Sequence, residues 1–569
     1  MKYPVRFLRE QITLEVDSGT TLLDALRQAG LQPDAPCSGR GLCGKCTVIL
    51  EDSRGRRQVR ACQTRVEGPL TLDTGGREQD HVILSGGPDT RFRIDPVCRR
   101  GAVNLPPAQA GQSHARRLKL ALEAHFGESM DWIRPDLGLA SELYGLLRDC
   151  DTLHVILGAS GLLSISREPV PCYAVALDIG TTTLVGYLLD PDTGRHLATC
   201  SRINPQTQYG ADVILRADYA AKHGTAPLTD CLRSSLRELV ESLAREAGIC
   251  REHIFSICAV GNTCMHHLLL GISPASLVRA PYSPVLEEML VCPARELELP
   301  IHPRGEVILL PNIAGFLGAD TMACLLCTRP DLSEGVTLML DIGTNGELVL
   351  GSREGILACS TAAGPAFEGA NIECGMRGAR GAVDHVALEQ GRFRFTTLGD
   401  QAPGGICGSG LIDLTACLLD ADLLSPTGVL KVPGERFLLS EDPPVYITQK
   451  DIRQLQLAKA AIAAGIRVLL QQAGLTPSHV DRVLVAGAFG SYMDPRSACR
   501  IGLIPPQLRQ KVRPIGNAAG EGAALALLDR RTLADSRALA ERITFTELAS
   551  SPDFQEYFVD ELEFPREIP

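Results

Sequence analysis

The first 73 residues alternate between strand-like and helix-like patterns of apolar residues. Apolar and polar side chains alternate in VRFLREQITLEV (5–16) around a short connection, which predicts a β-hairpin. Residues 20–31 then repeat leucines at helical spacing, and the predicted helix stops at Gly30. The strand-like TVILE (47–51) and the returning VRACQT (59–64) indicate a second hairpin. We therefore predict hairpin, helix, loop and hairpin for residues 1–73.

Between residues 74 and 113 this periodicity is lost. Glycine, proline, aspartate and arginine accumulate there, which is typical of a semi-extended linker. Helical spacing resumes over 115–126, and the apolar HVILG (154–158) predicts a strand. We expect a small α/β middle domain over 114–172. The linker is either a tether for a mobile N-terminal domain or an irregular surface crossing.

From residue 173 onward, three apolar runs end in turns of small residues. Two of them, AVALDIGTTTLVGYLLD (174–190) and TLMLDIGTNGELVL (337–350), consist of a buried strand, a D-I-G-T turn and a second strand. We call them the first and second D-I-G-T hairpins. The third run, VLVAGAFG (483–490), is a buried strand that ends in small residues. The repeat indicates duplicated halves that close on one ligand from both sides.

Nucleotide phosphates are the ligand that such hairpins suit. Backbone N–H groups and threonine hydroxyls of the turn hold phosphate oxygens, and an adjacent aspartate points toward Mg²⁺ and its waters. Each turn alone is an ordinary β-turn, but the three in this order resemble the actin, Hsp70 and sugar-kinase superfamily. The resemblance implies an ATPase over 173–569 with Asp178 and Asp341 as catalytic residues. It also implies these nucleotide contacts: Gly180, Thr181, Thr182, Gly343, Thr344, Asn345, Gly487 and Ala488.

Four further segments are expected around the nucleotide. Small-residue helices at 314–326 and 517–527 match the connectors between the lobes of that superfamily, since small side chains let helices cross closely and slide. Asp320 on the first helix would orient the attacking water, although we favour an ordinary helix-surface or N-cap aspartate. Glycine-rich stretches at 360–378 and 404–414 bring three glycines to the cleft, unless they are structural turn glycines: Gly364, Gly408 and Gly410.

Four cysteines follow the first predicted helix with the spacing C-x5-C-x2-C-x15-C: Cys37, Cys43, Cys46 and Cys62. Three thiolates on a glycine-rich loop and a fourth from the returning hairpin can surround a two-iron cluster. Zinc also binds four thiolates, but structural zinc sites pair two short knuckles and this group contains one. Chance clustering among 20 cysteines is the other alternative. We adopt the iron–sulfur interpretation, and the segment resembles a β-grasp ferredoxin.

Composition narrows the class of function. The 569-residue chain is 22% charged and only 4% aromatic, with a net charge of −11, whereas a nucleic-acid reader needs basic patches and stacking rings. No apolar run approaches the ~20 residues that span a bilayer, and the N-terminus begins directly with a strand pattern. We therefore expect no nucleic-acid or membrane partner and a cytoplasmic location, where the other cysteines stay reduced.

Seven strings together resemble the reductive activators of corrinoid proteins over essentially the whole chain: DIGTTT, GNTCMHHLLLG, AGFLGADT, DIGTNGEL, AAGPAFEGANI, GICGSGLID and VAGAFG. The resemblance implies a multidomain α+β and α/β chain: β-grasp 2Fe-2S ferredoxin domain, linker, small middle domain and duplicated actin-like ATPase. It implies a 2Fe-2S cluster and ATP with Mg²⁺ as cofactors. A second branch of this family has C-terminal four-iron clusters, but the C-terminal cysteines of this chain form no such array.

The activity implied by the resemblance is ATP-dependent reduction of Co(II) to Co(I) in the corrinoid protein of a methyltransferase system. The electron donor would be a low-potential reductant of unidentified class, and the actin-like half could form a homodimer. Three other functions stay open: an electron-donating activator of a radical dehydratase, a small-molecule kinase with a redox sensor, and a binding module that holds ATP as a structural ligand. Iron content per chain separates the first of these, because such activators hold a four-iron cluster at a dimer interface.

Overall fold

The structure is a computed structural model that describes residues 2–8, 12–29, 31, 46–52, 55–73, 94–130, 137–148 and 150–566. Two of the predicted cluster ligands, Cys37 and Cys43, lie outside the described residues, as do Gly30 and residues 74–93 of the predicted linker. The described chain comprises an N-terminal sheet domain, a small module and two large lobes.

The N-terminal domain is a five-stranded sheet with one helix packed on it. Its strand order is β2-β1-β5-β3-β4, with β1 parallel to β5 and the other neighbours antiparallel. Thr21 caps the helix, because its side chain accepts a hydrogen bond from the Asp24 amide at 3.1 Å. The predicted order of hairpin, helix and hairpin is confirmed. Its elements are β1 (Lys2–Phe7), β2 (Ile12–Asp17), α1 (Leu22–Gln28), β3 (Thr47–Asp52), β4 (Gly55–Arg60) and β5 (Leu70–Asp73).

A small module over 94–166 follows, with a three-stranded antiparallel sheet and two helices. Its elements are β6 (Arg99–Asn104), α2 (His114–Phe126), α3 (Leu137–Leu147), β7 (Thr152–Leu157) and β8 (Leu162–Ser166). The helix predicted over 115–126 is confirmed. However, β6 lies inside the segment predicted as linker and pairs with β7 along its whole length. The pattern of apolar residues does not indicate this strand, because Val103 is its one buried residue.

The two lobes share one strand plan. The first sheet has the order β11-β10-β9-β12-β14-β13, and the second has the order β24-β23-β15-β16-β17-β25. In each lobe a D-I-G-T hairpin (β9–β10 or β15–β16) pairs in parallel with a later strand (β12 or β23). That later strand pairs in parallel with another, β14 or β24. The two lobes therefore have the duplicated topology that the repeated hairpin predicts.

The first lobe extends to the end of a connecting helix. Its elements are β9 (Tyr173–Ile179), β10 (Thr183–Asp190), β11 (Arg195–Ile203), α4 (Val213–His223), α5 (Ala226–Glu246), β12 (Ile254–Gly261), α6 (Thr263–Leu270), β13 (Leu290–Pro293), β14 (Glu306–Leu309) and α7 (Ala319–Thr328). A short 3-10 helix, Pro205–Gln208, lies between β11 and α4.

The second lobe adds two small sheets, β19-β18-β20 and β21-β22, to its main sheet. Its elements are β15 (Val336–Ile342), β16 (Gly346–Ser352), β17 (Gly355–Thr361), β18 (Ala382–Glu389), β19 (Arg392–Thr397), β20 (Gly405–Ile406), α8 (Gly408–Asp420), β21 (Arg436–Ser440), β22 (Val445–Thr448), α9 (Gln449–Gln472), β23 (Val480–Ala486), α10 (Gly487–Tyr492), α11 (Pro495–Arg500), β24 (Val512–Pro514), α12 (Ala518–Leu528), α13 (Arg530–Arg542), β25 (Ile543–Phe545) and α14 (Pro552–Asp560).

Helices α7 and α12 cross in close contact between the lobes. A Cβ atom at Gly522 of α12 would lie 2.0 Å from the carbonyl oxygen of Ala323 of α7, so a larger residue has no room there. Both helices lie in one buried apolar cluster with strands from both lobes. The predicted helix 517–527 is confirmed within one residue, whereas 314–326 becomes helical only at Ala319.

The small module is attached to both large lobes by hydrogen bonds. The carboxylate of Glu306 on β14, which is 1% exposed, accepts hydrogen bonds from the Ala159 amide (2.7 Å), the Ser160 amide (2.8 Å) and the Ser256 hydroxyl (2.9 Å). The amide of Asp95 donates to the carbonyl of Leu528 at 2.9 Å, at the end of α12. Among the described residues, no helix combines the length and apolar character needed to cross a membrane.

Candidate active site

A cleft lies between the two lobes and is open to solvent. Both D-I-G-T hairpins border it, as does the end of the third apolar run. Eleven of the predicted ATPase residues line the cleft: Asp178, Gly180, Thr181, Thr182, Asp320, Asp341, Gly343, Thr344, Asn345, Gly408 and Gly487. The topology thus brings together segments that are distant in the sequence.

The turn of the first D-I-G-T hairpin is held in place by side chains from behind it. Asn204 donates from Nδ2 to the Gly180 carbonyl at 2.8 Å, and its own amide donates to the Thr182 carbonyl at 2.9 Å. The guanidinium of Arg216, a fully buried residue, donates to the Thr181 carbonyl. Because these bonds occupy the carbonyl groups, Asn204 and Arg216 hold the turn at the edge of the cleft in the nucleotide-free protein.

The second D-I-G-T hairpin lies beside the end of the third run. Strand β15 pairs in parallel with β23, and this register sets Asp341 opposite Ala486. Gly487 follows with φ +80°, a left-handed conformation that favours glycine, and a Cβ atom there would lie 3.3 Å from Asp341 Oδ1. The glycine therefore lets the chain turn directly over the aspartate.

Glu368 connects the two hairpins across the cleft. Thr182 of the first hairpin donates from Oγ1 to Glu368 Oε2 at 2.7 Å. Thr344 of the second hairpin donates from Oγ1 to Glu368 Oε1 at 2.7 Å. One half-buried carboxylate thus holds a hydroxyl group from each lobe.

The cleft concentrates carboxylates in a poorly solvated place. Desolvation raises the pKa of Asp178 to about 7, with a further increase from the nearby charge of Asp341 and a partial offset from the Asn517 side chain. Desolvation and Asp341 likewise raise the pKa of Asp320 to about 7. The pKa values of Asp341 and Glu347 are also raised, chiefly by desolvation. Such a site favours binding of a cation, which would stabilise the ionised carboxylates.

This carboxylate arrangement fits magnesium that arrives with a nucleotide. Within the described ranges, no group of three or more His, Cys, Asp or Glu side chains is close enough to hold a metal ion by itself. Mg²⁺ typically keeps several waters and binds through one or two carboxylates plus substrate phosphates. Asp178, Asp320 and Asp341 around an open cleft therefore match a metal–nucleotide complex better than a resident metal ion.

Two of the four predicted cluster cysteines lie next to each other in the N-terminal domain. Cys46 directly precedes β3, Cys62 follows β4, and the Ala61 amide donates to the Cys46 carbonyl at 2.7 Å. Cys46 is buried and Cys62 is half-buried. Helix α1 packs on this turn, since the Leu23 amide donates to the Ala61 carbonyl at 3.1 Å. Paired thiols at one end of the sheet fit the donor set of an iron–sulfur cluster.

The N-terminal domain contacts the first lobe through α1. The Arg27 guanidinium donates to the Gln208 carbonyl and lies over the Tyr209 ring, 5.6 Å from its centroid. Asp24 orients the same guanidinium through a 3.0 Å hydrogen bond. The Arg27 side chain is only 15% exposed, so this contact is largely removed from solvent.

Residues 204–210, which we call the bridging segment, lie between α1 and the first D-I-G-T hairpin. On one side of the segment, the Gln208 carbonyl accepts a hydrogen bond from the Arg27 guanidinium. On the other side Asn204 binds the hairpin turn, and Arg216 donates to Gln206 Oε1 at 3.2 Å as well as to the Thr181 carbonyl. Hydrogen bonds from both sides of this segment thus connect α1, the helix beside the predicted cluster cysteines, with the hairpin at the cleft.

Comparison with known proteins matches three family descriptions along the chain. Residues 5–67 match "2Fe-2S iron-sulfur cluster binding domain", residues 173–332 match "RACo middle region", and residues 335–568 match "C-terminal domain of RACo the ASKHA domain". The corrinoid activation enzyme RamQ of Eubacterium limosum is 32% identical over 590 residues, covering 97% of both chains. The chain belongs to the reductive activators of corrinoid proteins.

Two other relatives of this activator are informative. The solved structure of a "reductive activator for corrinoid, iron-sulfur protein" is 31% identical, covers 99% of this chain and 98% of that one, and superposes with a TM-score of 0.77. The "Co(II) methylated amine-specific corrinoid protein reductase" of Methanosarcina barkeri is 27% identical, covering 69% of this chain and 77% of its own. The predicted fold and family of the activator are thereby confirmed.

Two predicted nucleotide contacts of the activator, Gly364 and Gly410, are not among the residues that line the cleft, and the side chain of Ala488 lies outside the described part of the chain. Gly364 has φ +77° and lies directly before the 3-10 turn Pro365–Glu368. Its role is therefore structural, because the start of this turn requires a left-handed conformation. Gly410 lies in α8, where a Cβ atom would meet the Val383 carbonyl at 2.2 Å, so it is a packing glycine. Ala488 is the second residue of α10, directly after Gly487.

Asp320 of the activator is neither an N-cap nor an ordinary surface aspartate. Gly318 is the N-cap of α7, and Asp320 lies in the first turn, where its carboxylate accepts a hydrogen bond from the Thr321 amide at 2.8 Å. The side chain lines the cleft beside the other carboxylates. The interpretation that the sequence favoured is therefore not supported by the geometry.

The pattern of the sequence did not identify several polar residues that line the activator's cleft: Asn262, Glu347, Glu368, Arg377 and Asn517. Glu368 lies in AAGPAFEGANI, one of the strings that carry the family resemblance. A carboxylate between glycines in an otherwise small and apolar loop was the available signal. Asn517 is the N-cap of α12, and this ordinary role hides its approach to Asp178.

Proposed function

We propose that this protein uses ATP to drive the one-electron reduction of a corrinoid protein's cobalt from Co(II) to Co(I), which supports cobalamin-dependent methyl transfer. The observation that carries the proposal is the bridging segment, since it joins the domain with the cluster cysteines to the ATPase cleft within one chain. Relatives named as a corrinoid activation enzyme and a Co(II) corrinoid protein reductase agree with this activity.

The energy required explains why ATP is needed. A two-iron centre of the plant-ferredoxin type has a potential near about −400 mV. Transfer of one electron uphill costs about 2.3 kcal/mol per 100 mV. A typical coupling free energy between two binding sites is about 1–3 kcal/mol. That amount corresponds to only about 50–130 mV. ATP hydrolysis is therefore needed to reach conformations of the protein that nucleotide binding alone does not populate.

The cluster ligands in this proposal are Cys37, Cys43, Cys46 and Cys62. Cys46 and Cys62 lie on either side of the Ala61 turn, and the other two are carried by the glycine-rich segment before β3. A bound 2Fe-2S cluster would supply one-electron transfer at low potential. The protein's own contribution is to keep the thiolates at the domain end where α1 begins.

The nucleotide ligands in this proposal come from both lobes. Thr182 and Thr344 offer hydroxyl groups from facing hairpins, and Asp178 with Asp341 would hold the magnesium of the nucleotide through its waters. Gly487 leaves backbone exposed for the adenosine. Asp320 would complete the carboxylate shell around the metal. ATP would then bind with its phosphates between the lobes and close the cleft.

Coupling between the two sites follows from the bridging segment. Phosphate binding at the first D-I-G-T hairpin would shift the turn whose carbonyls are held by Asn204 and Arg216. Because the same segment accepts Arg27, such a shift changes how the N-terminal domain is held. ATP turnover would thereby release this domain toward the corrinoid partner and return it afterwards.

The domain division, location and assembly are parts of the same proposal. We divide the chain at residues 73, 113 and 172, with strand β6 as an extension of the middle domain into the linker. A cytoplasmic location suits a ferredoxin-type cluster and 20 cysteines, since that compartment is reducing. The electron donor is a low-potential reductant, and the actin-like half is the expected contact of a homodimer. Neither nucleic acid nor membrane is an expected partner.

The direct experiment mixes the purified protein with a corrinoid protein in the Co(II) state, a reductant and MgATP. Formation of Co(I) is followed by its absorbance, and ATP hydrolysis is measured in the same sample. We expect Co(I) to accumulate with MgATP and not with MgADP or without nucleotide. Equal Co(I) formation without ATP would refute the coupling. Two iron atoms per chain are expected, whereas an activator of radical dehydratases holds a four-iron cluster at its dimer interface.

A further inference from the structure

The carboxylate of Glu368 lies where the two halves of the ATPase meet. Its two oxygens each accept one threonine hydroxyl at 2.7 Å, from Thr182 in the first lobe and Thr344 in the second. Both threonines belong to the D-I-G-T turns that border the cleft. A terminal phosphate that lies between these turns is therefore adjacent to this carboxylate.

The loop that carries Glu368 is built to project this side chain into the cleft. Glycines on either side of the 3-10 turn, Gly364 and Gly369, have φ values of +77° and +71°. A Cβ atom at Gly369 would lie 2.4 Å from the Met376 carbonyl, so this glycine is required by packing as well. Phe367, 3% exposed, anchors the turn in the core of the second lobe. The position of the carboxylate is thus fixed from both sides.

We propose that Glu368 is the general base that orients and deprotonates the water attacking ATP. The assignment rests on the ATP hydrolysis of the proposed function. The water oxygen forms a bond to the γ-phosphorus as the bond from phosphorus to the β,γ-bridging oxygen breaks. One water proton passes to a Glu368 oxygen, ADP leaves with the bridging oxygen, and the proton then leaves Glu368 for solvent.

Glu368 suits this role better than the aspartates of the cleft. Asp178 and Asp341 are the second-last residues of the two strands before the turns, where the metal of the nucleotide is expected. Asp320 lies at the start of α7, where its carboxylate accepts a backbone amide. Glu368 is the acidic group that contacts both threonines. When a nucleotide binds, the threonine hydroxyls would donate to its phosphate and no longer to Glu368, and the Glu368 oxygens would become available.

The test compares Glu368→Gln with Glu373→Gln in the full-length protein. Glu373 is a control from the same loop, because its carboxylate is exposed and accepts the Tyr446 hydroxyl at 2.7 Å, away from the cleft. We expect Glu368→Gln to lower kcat for ATP hydrolysis by about 10²–10⁴-fold. The affinity for MgATP should change by less than about threefold, and Glu373→Gln should behave like the wild type.

A second variant distinguishes a general base from a residue that only holds the two hairpins together. Glu368→Ala with added formate should recover part of the lost kcat, because formate can accept the proton in the vacated space. Recovery should grow with the concentration of formate. If Glu368 only holds the two hairpins together, added formate should not restore kcat. A kcat of Glu368→Gln within about threefold of the wild type, or a loss of MgATP binding in place of kcat, overturns the assignment.

The proposed function and this assignment fail in different ways. Hydrolysis by the wild type in the presence of a Co(II) corrinoid protein is measured first. If the wild type hydrolyses no ATP, the proposed function and the base assignment are both overturned. If the wild type hydrolyses ATP and Glu368→Gln does so equally well, only the base assignment is overturned.

Discussion

Gly522 of α12 lies directly against the backbone of Ala323 in α7. A Cβ atom at position 522 would come within 2.0 Å of the Ala323 carbonyl oxygen and 2.8 Å of its Cα. These two helices join the lobes, and residues at the start of α12 line the nucleotide cleft. The distance between the two helices therefore controls how the lobes are placed around the nucleotide.

A methyl group at this crossing should disturb both stability and turnover. We expect Gly522→Ala to lower the free energy of unfolding by about 1–3 kcal/mol, since overpacking forces backbone to move. ATP hydrolysis should fall as well, because α12 carries Asn517 at the cleft. Gly145→Ala is the matched control: this helical glycine has open space around it, and the change should stabilise the protein by about 0.5–1 kcal/mol. Chemical denaturation measures both effects.

Loss of the contact between α1 and the bridging segment should uncouple ATP hydrolysis from cobalt reduction. Arg27→Ala removes the guanidinium that binds the Gln208 carbonyl, a charge-assisted bond worth about 1.5–3 kcal/mol. We expect ATP turnover to persist while less Co(I) forms per ATP. Hydrogen exchange in α1 should also become faster.

The control for this change is Arg56→Ala. Arg56 also belongs to the N-terminal domain, but its ion pair with Asp73 is exposed and is therefore worth little. Arg56→Ala should leave the amount of Co(I) formed per ATP hydrolysed unchanged. If Arg27→Ala and Arg56→Ala behave alike, the bridging segment does not couple the two sites.

Substitution of a cluster cysteine should remove iron without unfolding the ATPase. Cys62→Ser is expected to lower the iron and sulfide content and bleach the visible absorbance, because serine is a poor ligand for iron in place of a thiolate. ATP binding should remain. Cys250→Ser, at an exposed cysteine of the first lobe, is the control and should retain two iron atoms per chain. Retention of the full cluster by Cys62→Ser would exclude Cys62 as a ligand.

The raised pKa values of the cleft predict how stability depends on pH. Asp178 and Asp320 have pKa values of about 7 in the folded protein and ordinary values near 3.8 when unfolded. The folded state holds protons that the unfolded state has lost, so this contribution is complete below about pH 4 and disappears as the pH rises through 7. The nucleotide-free protein should therefore lose stability across this window.

Binding of MgATP should show the opposite trend, because the metal requires ionised carboxylates. We expect the increase in Tm caused by MgATP to be larger at pH 8 than at pH 6. Asp320→Asn should weaken this pH dependence, whereas Asp553→Asn, on the exposed surface of α14, should preserve it. An increase in Tm that is independent of pH would show that these carboxylates do not respond to the metal.

The parts that sequence predicts well are those set by local patterns. Asp178 and Asp341 were identified because strand, turn and strand are continuous in the chain, and the parallel pairing of β15 with β23 then brings Gly487 beside Asp341. The helix α12 was predicted within one residue, since small residues repeat there and Asn517 caps it. Local chemistry was sufficient for the two hairpins and for this helix.

Contacts made by loops from distant positions were beyond such patterns. Glu368 reaches both hairpins only because two left-handed glycines turn its loop into the cleft. Arg216, on an amphipathic helix, has the pattern of a surface residue, yet it is fully buried and holds the Thr181 carbonyl. Strand β6 has one buried residue and was assigned to the linker. Each of these outcomes depends on a partner far away in the sequence.

The buried carboxylate of Glu306 determines which parts of the molecule melt together. It holds the turn at Ala159 and Ser160 on one side and Ser256 on the other, so the module cannot detach without leaving a charge unpaired. The module and the first lobe should therefore form one cooperative unfolding unit. The N-terminal domain, joined through Arg27, should give a separate and earlier calorimetric transition whose midpoint follows the iron content of the sample.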